Sequence, residues 1–324
     1  MFFDKFDEFN GVNGFSENNS PDFHALIKKR IKKTARVIGA AALLFAAVRI
    51  VLMQFYAEPD IQSYAADSDL VIRIFDWTAA AGVVALYVVS IFLYRYKKDE
   101  HHYSASSVCL VQGNQTQIFS ASIAGFFIAA SAVLQIWSIS GLGQFTEAEP
   151  LMDFIKNNVF DILIFFASVL SAVYFFMTAA YNKEPENDNG EYSQGHIIMS
   201  MTPIIWAFLH TFKCFFDMSR SINSPVRIYE LMSFLALSAY FVSESRMLVG
   251  RRGISRFFTF AYIAVLFVLV SALPNLILSY VRIAQGLMQV SGAHIMYAVQ
   301  IALAFYIAVR IYSQIRYGKF QLER

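Results

Sequence analysis

Eight stretches of this chain are almost continuously apolar, and each has the roughly 17–25 residues that a bilayer's hydrocarbon core asks of a crossing helix. They lie at about 36–56, 72–94, 117–138, 157–180, 197–216, 226–245, 257–280 and 290–312. A backbone N–H or C=O left unpaired in hydrocarbon costs several kcal/mol, so runs of this kind cross as helices. They are too long and too evenly apolar to be the alternating strands of a barrel. The chain therefore reads as an all-α integral membrane protein with eight transmembrane helices. Composition points the same way. Of 324 residues, 57% are hydrophobic and 15% charged, against roughly 25% charged in an ordinary soluble domain. Such a chain cannot cover itself with polar surface in water. A soluble enzyme, a disordered chain and a nucleic-acid binder are excluded, and two cysteines make no disulfide scaffold.

The flanking charges set an orientation. Lys28, Lys29, Arg30, Lys32, Lys33 and Arg36 precede the first run. Arg95, Lys97, Lys98, Lys183, Arg246, Arg251, Arg252, Arg256, Arg310, Arg316, Lys319 and Arg324 fall on the same side of an eight-span chain. The opposite connections hold Arg220 and Arg282, and they are otherwise acidic. The positive-inside rule then predicts both termini in the cytoplasm of a plasma membrane, and the short loops suit a bacterial cytoplasmic membrane. The first run lacks a small-residue cleavage site and reads as a retained anchor.

Spans one to four and five to eight look like two copies of one unit. Arg73-Ile-Phe-Asp76 opens the second run and Arg227-Ile-Tyr-Glu230 the sixth. Ala121, Ile123, Ala124, Phe127, Ser131 and Ala132 recur in register as Ala261, Ile263, Ala264, Phe267, Ser271 and Ala272. Four spans per copy is even, so the copies share an orientation, as in parallel-repeat transporters. The predicted organisation is a cytoplasmic tail over 1–35, with Phe2, Phe3, Phe6 and Phe9 on a short amphipathic helix. A first four-helix unit follows over 36–181, a linker over 182–196, a second unit over 197–316, and a tail over 317–324.

Ionisable residues at membrane depth cost about 2.5–3.5 kcal/mol at a helix centre and usually face protein or water. Here Arg49, His210, Lys213, Asp161, Gln135 and Asn275 fall at similar heights in the outer halves of their helices. They are the predicted substrate-binding set of an outward cavity between the repeats. Its slight cationic excess suits a small anionic or zwitterionic solute. Arg73, Asp76, Arg227 and Glu230, near the outer ends of spans two and six, serve as structural ion pairs or as the vestibule. Pro274 is the predicted hinge, because it frees a backbone carbonyl one turn back. The inner halves read as almost bare, with Ser, Thr and Tyr, and with Glu244 and Arg246 at the edge.

No phosphate loop, H-E-x-x-H or G-x-S-x-G motif occurs, so no catalytic set, cofactor or metal is expected. Asp99-Glu100-His101-His102 reads as a solvated linker. The expected function is a small-solute transporter or permease. The alternative is a non-transporting sensor, scaffold or assembly partner, and a membrane-embedded enzyme stands third. The one partner the sequence names is the lipid bilayer.

Overall fold

The computed structural model describes residues 21–57, 69–93, 114–142, 151–181, 193–217, 224–249, 254–287 and 292–317. The Phe2–Phe9 segment, the Asp99–His102 stretch, Arg220 and most of the 182–196 linker lie outside the described residues. The described chain is helical: α1 (Pro21–Tyr56), α2 (Asp69–Leu93), α3 (Gln115–Leu142), α4 (Leu151–Tyr181), α5 (Gln194–Met199), α6 (Thr202–Phe216), α7 (Pro225–Leu248), α8 (Ile254–Ala284) and α9 (Gly292–Tyr317). Eight segments are long and apolar enough to cross a membrane, α5 and α6 together forming one of them. This is a multi-pass membrane protein by length and composition. Large apolar side chains such as Phe55, Trp77, Phe126, Phe166 and Phe215 stand on its outer surface, where lipid is their natural solvent.

Two internal prolines mark the irregular points. Pro203 cannot donate to Met199 O, the carbonyl four residues back. The chain breaks there between α5 and α6, and Thr202 Oγ1 donates to Met199 O instead, at 2.8 Å. Pro274 lies inside α8 and leaves Val270 O without its helical donor. The replacement comes from Arg49 of α1, whose Nη1 donates to Val270 O and, at 3.1 Å, to Ser271 O. α4 bends at Asn158, where φ is −113° and ψ is 15°.

Six helices close a ring. α3 packs on α4, α4 on α6, α6 on α7, α7 on α8, α8 on α9, and α9 back on α3. α1 lies outside against α8, and α2 covers α8 and the edge of α1. α7 and α8 are the most buried of the eight described spans and α2 the least. Cross-contacts fix the helix directions. The start of α3 meets the end of α9 through Asn114 Nδ2, which donates to Ser313 Oγ. The start of α8 meets the start of α1, where Tyr262 Oη donates to Ile31 O at 3.3 Å. The end of the bundle at which α1 enters, with Ile31, Asn114, His196 and Ser313, is called the near end below. The other is the far end.

The ring is filled by aromatic side chains. Phe175 of α4 reaches across it to Tyr306 of α9, with ring centroids 5.1 Å apart, and to Phe241 of α7, 6.0 Å away. Gly125 of α3 sets the spacing of α3 on α4, since a Cβ there would stand 3.2 Å from the Phe176 ring. Lipid tails are as apolar as leucine, so close packing and hydrogen bonds rather than hydrophobic expulsion hold such helices together.

Candidate functional site

At the far end the predicted substrate residues do not form one cavity. Arg49 is fully buried, and its donors go to the backbone that Pro274 opened. Its Nη2 also donates to Asn275 Oδ1 at 3.5 Å, and its guanidinium lies 4.1 Å from the centre of the Tyr229 ring. Tyr229 Oη in turn donates to Asp76 Oδ1 at 2.5 Å. Arg49 and Asn275 are therefore brought together, with Tyr229 and Asp76 extending the link to α7 and α2. The linkage supplies the donor that Pro274 withholds from α8. The adjoining pocket is walled by Phe45, Gly82, Val83, Phe267 and other apolar side chains, so it offers no aqueous path to the cation.

The other predicted residues sit elsewhere. His210 is buried against Trp206 and stacks on Phe234, ring centroids 4.8 Å apart. Phe234 and Tyr229 are five residues apart on α7, hence about 140° apart around it. His210 and Arg49 accordingly address different faces of that helix. Lys213 and Asp161 form a partly exposed ion pair between α6 and α4. Gln135 is half-buried on α3, and its Oε1 accepts no hydrogen bond among the described residues.

The two Arg-x-x-acid pairs also part company. Arg227 is buried and caps the end of α6, its Nε donating to Cys214 O at 3.1 Å and its Nη2 to Phe215 O at 2.6 Å. Those carbonyls lack helical partners, and a cation suits the negative end of the helix dipole. Glu230 is buried on the same helix, whereas Arg73 is exposed and Asp76 half-buried. Arg282, expected in a loop, lies within α8 and donates from Nη2 to Met53 O in the last turn of α1 at 3.3 Å. Three far-end arginines thus serve backbone carbonyls of neighbouring helices.

The near end is where the structure departs most from the sequence reading. Glu244 of α7 and Arg310 of α9 are each 1% exposed, and Arg310 Nε lies 3.3 Å from Glu244 Oε1. Tyr306 Oη donates to the same carboxylate oxygen at 2.9 Å. Tyr240 stands one turn before Glu244, and Tyr306 one turn before Arg310, so two Tyr-x-x-x-charge pairs face each other inside the ring. Side chains at this depth can reach water by snorkelling; these two stay inside.

Other polar side chains are buried on the ring's helices, Gln314 one turn beyond Arg310 and Gln300 about three turns before it. Gln117 of α3 and Gln300 and Gln314 of α9 are each 0% exposed, and neither amide atom of any of the three has a hydrogen-bond partner among the described residues. Ser171 of α4 is likewise buried without one. Next to them, Asn114 caps α3, with Thr116 N donating to its Oδ1 at 3.0 Å. Ser200, at the α5–α6 break, donates to Ser245 Oγ of α7 at 2.9 Å. The inner halves are therefore far from bare. The sequence contained a signal for this, because Gln300, Ile307 and Gln314 recur every seven residues and place amides on one stripe of α9. Arg310 was obscured by its place among basic flanks, and Glu244 by its place at a span's edge.

Compared with protein-family models, with curated proteins and with solved structures, the chain finds no match in any of the three.

Proposed function

We propose that the protein is a small-solute transporter or permease of the plasma membrane, with its solute site inside the helix ring at the near end. One observation carries this reading: beside a buried Glu244–Arg310 pair, the amide of Gln314, one turn along α9, has no hydrogen-bond partner among the described residues. Removing a polar group from water without a partner costs about 1–3 kcal/mol on mutational scales. A buried ion pair is also no efficient stabiliser, since apolar replacements of similar volume are often as stable. Retaining both in a helix bundle makes sense where a polar solute or water enters. Intramembrane ionisable residues that face a bundle's interior commonly mark solute and ion pathways.

In this reading both termini are cytoplasmic, as the basic flanks suggest, and the near end faces the cytoplasm. The parallel sequence features of 36–181 and 197–316 support a duplicated four-helix unit, of which the first copy gives α3 and α4 to the ring and the second α6 to α9. The solute class is small and anionic or zwitterionic, because Arg310 and the amide N–H groups offer donors. The test is uptake of labelled small anions and amino acids into proteoliposomes. Saturable uptake that Arg310→Gln abolishes and Arg49→Ala spares is expected. Equal loss in both variants, or no uptake across the panel, would contradict it.

A second reading, a membrane scaffold or assembly partner, draws on the far end. There Arg49, Arg227 and Arg282 tie helices together, and the aromatic contacts across the ring close its middle. It predicts no solute uptake and a protein that co-purifies in fixed ratio.

A further inference from the structure

We propose that Arg310 is an anion site whose resident counter-ion is the Glu244 carboxylate, and that protonating Glu244 exchanges this internal carboxylate for a small monovalent anion. The site itself stands on the geometry, whereas its use in coupled transport rests on the reading above.

Before the exchange, the carboxylate is ion-paired with Arg310, whose Nε lies 3.3 Å away, and accepts from Tyr306 Oη, so the pair is neutral. A proton from the near-end aqueous phase then forms the O–H bond of a carboxylic acid on Glu244. Arg310 keeps its proton and its charge but loses its counter-ion. An entering anion restores neutrality, so a proton and an anion are taken up together and no net charge moves. A low-dielectric interior enforces this linkage, because an uncompensated buried cation is costly.

Donors for the anion are already in place. Gln314 is one turn beyond Arg310 on the same face of α9, and its amide is unpartnered. Gln117 stands one turn into α3, whose start is bonded to the end of α9 through Asn114 and Ser313. Facing Glu244 are Arg310 and Tyr306 from α9 and Tyr240 from its own helix. Tyr174 of α4 lies beside Tyr306, His196 of α5 is within electrostatic reach of Arg310, and α8 presents Phe257 to Tyr240. Among the described residues, Arg310 is the cation ion-paired with the carboxylate.

The experiment is infrared difference spectroscopy of the whole protein in lipid bilayers, following the carbonyl band of protonated carboxyl groups. Chloride, nitrate and methanesulfonate serve as probes, since their conjugate acids are too strong to carry protons through lipid. Acidification should raise a band that Glu244→Gln removes and Glu230→Gln keeps. At fixed pH, adding a probe anion should raise the same band, and Arg310→Gln should abolish that rise. Should Glu244→Gln fail to fold, Tyr306→Phe decides instead, because loss of the Tyr306 hydrogen bond must move both the band position and its titration midpoint. A band indifferent to Glu244 and Tyr306, or one that no probe anion raises, overturns the proposal. A linked band without anion-driven proton flux in dye-loaded proteoliposomes leaves the site standing and removes the transport reading.

Discussion

The two ends of the bundle use the same residue type in opposite ways. At the far end, Arg49 and Arg227 are turned onto backbone carbonyls that a proline or a helix terminus has left open, and Arg282 adds a second donor to Met53 O, which Ala57 N already bonds. Each cation is held between two helices by groups that cannot titrate and cannot leave. At the near end, Arg310 meets a carboxylate, a group that can be protonated, and the Gln314 amide one turn away has no hydrogen-bond partner among the described residues. Membrane depth and charge are alike in the two settings. The difference is the partner, and the partner separates a structural arginine from one open to exchange.

The largest effect expected from breaking this contrast is at the near end. Arg310→Met leaves a buried carboxylate without its cation and should lower stability by about 3–5 kcal/mol in mixed-micelle unfolding. Adding Glu244→Gln to it should recover most of that loss, because a neutral side chain tolerates burial far better than an unpaired charge. If the double variant is no more stable than Arg310→Met, the pair is not an isolated charge couple.

Next is the carbonyl that Pro274 leaves open. Arg49→Met should cost about 1–3 kcal/mol, the usual penalty for leaving buried acceptors unpaired. The cost should shrink in a Pro274→Leu background, where an N–H at 274 again bonds Val270 O. Equal costs in both backgrounds would detach Arg49 from the proline. A smaller effect, about 1 kcal/mol, is expected for Arg227→Ala, which uncaps α6. Least of all is Lys213→Ala, whose partly exposed pair with Asp161 should contribute at most about 1 kcal/mol by thermal melting.

How much of this was legible in the sequence depended on how local the cause was. The eight crossings follow from the length and composition of single runs, and the spans in the structure overlap all of the predicted ones. Pro274 announced a freed carbonyl by its own chemistry. Nothing local said that the donor would be Arg49, 221 positions away along the chain. Depth along the helices groups Arg49, Asn275, Asp161 and Lys213 into one substrate cavity in the sequence, whereas the structure joins Arg49 to Asn275 and pairs Lys213 with Asp161. Depth gives height along a helix and says nothing of the face, which the ring topology decides. The same limit hid the near-end site, because Glu244 and Arg310 lie 66 residues apart, each beside sequence that reads as cytoplasmic flank. Only the packing of α7 against α8 and α8 against α9 turns both inward.

The contrast between the two ends is tested most directly by the melting temperature in detergent with and without nitrate, for the wild type, Arg310→Gln and Arg49→Lys. Nitrate should stabilise the wild type and Arg49→Lys, more at acidic than at alkaline pH, and should leave Arg310→Gln unmoved. A shift retained in Arg310→Gln and lost in Arg49→Lys would return the anion to the far end and contradict the assignment made here.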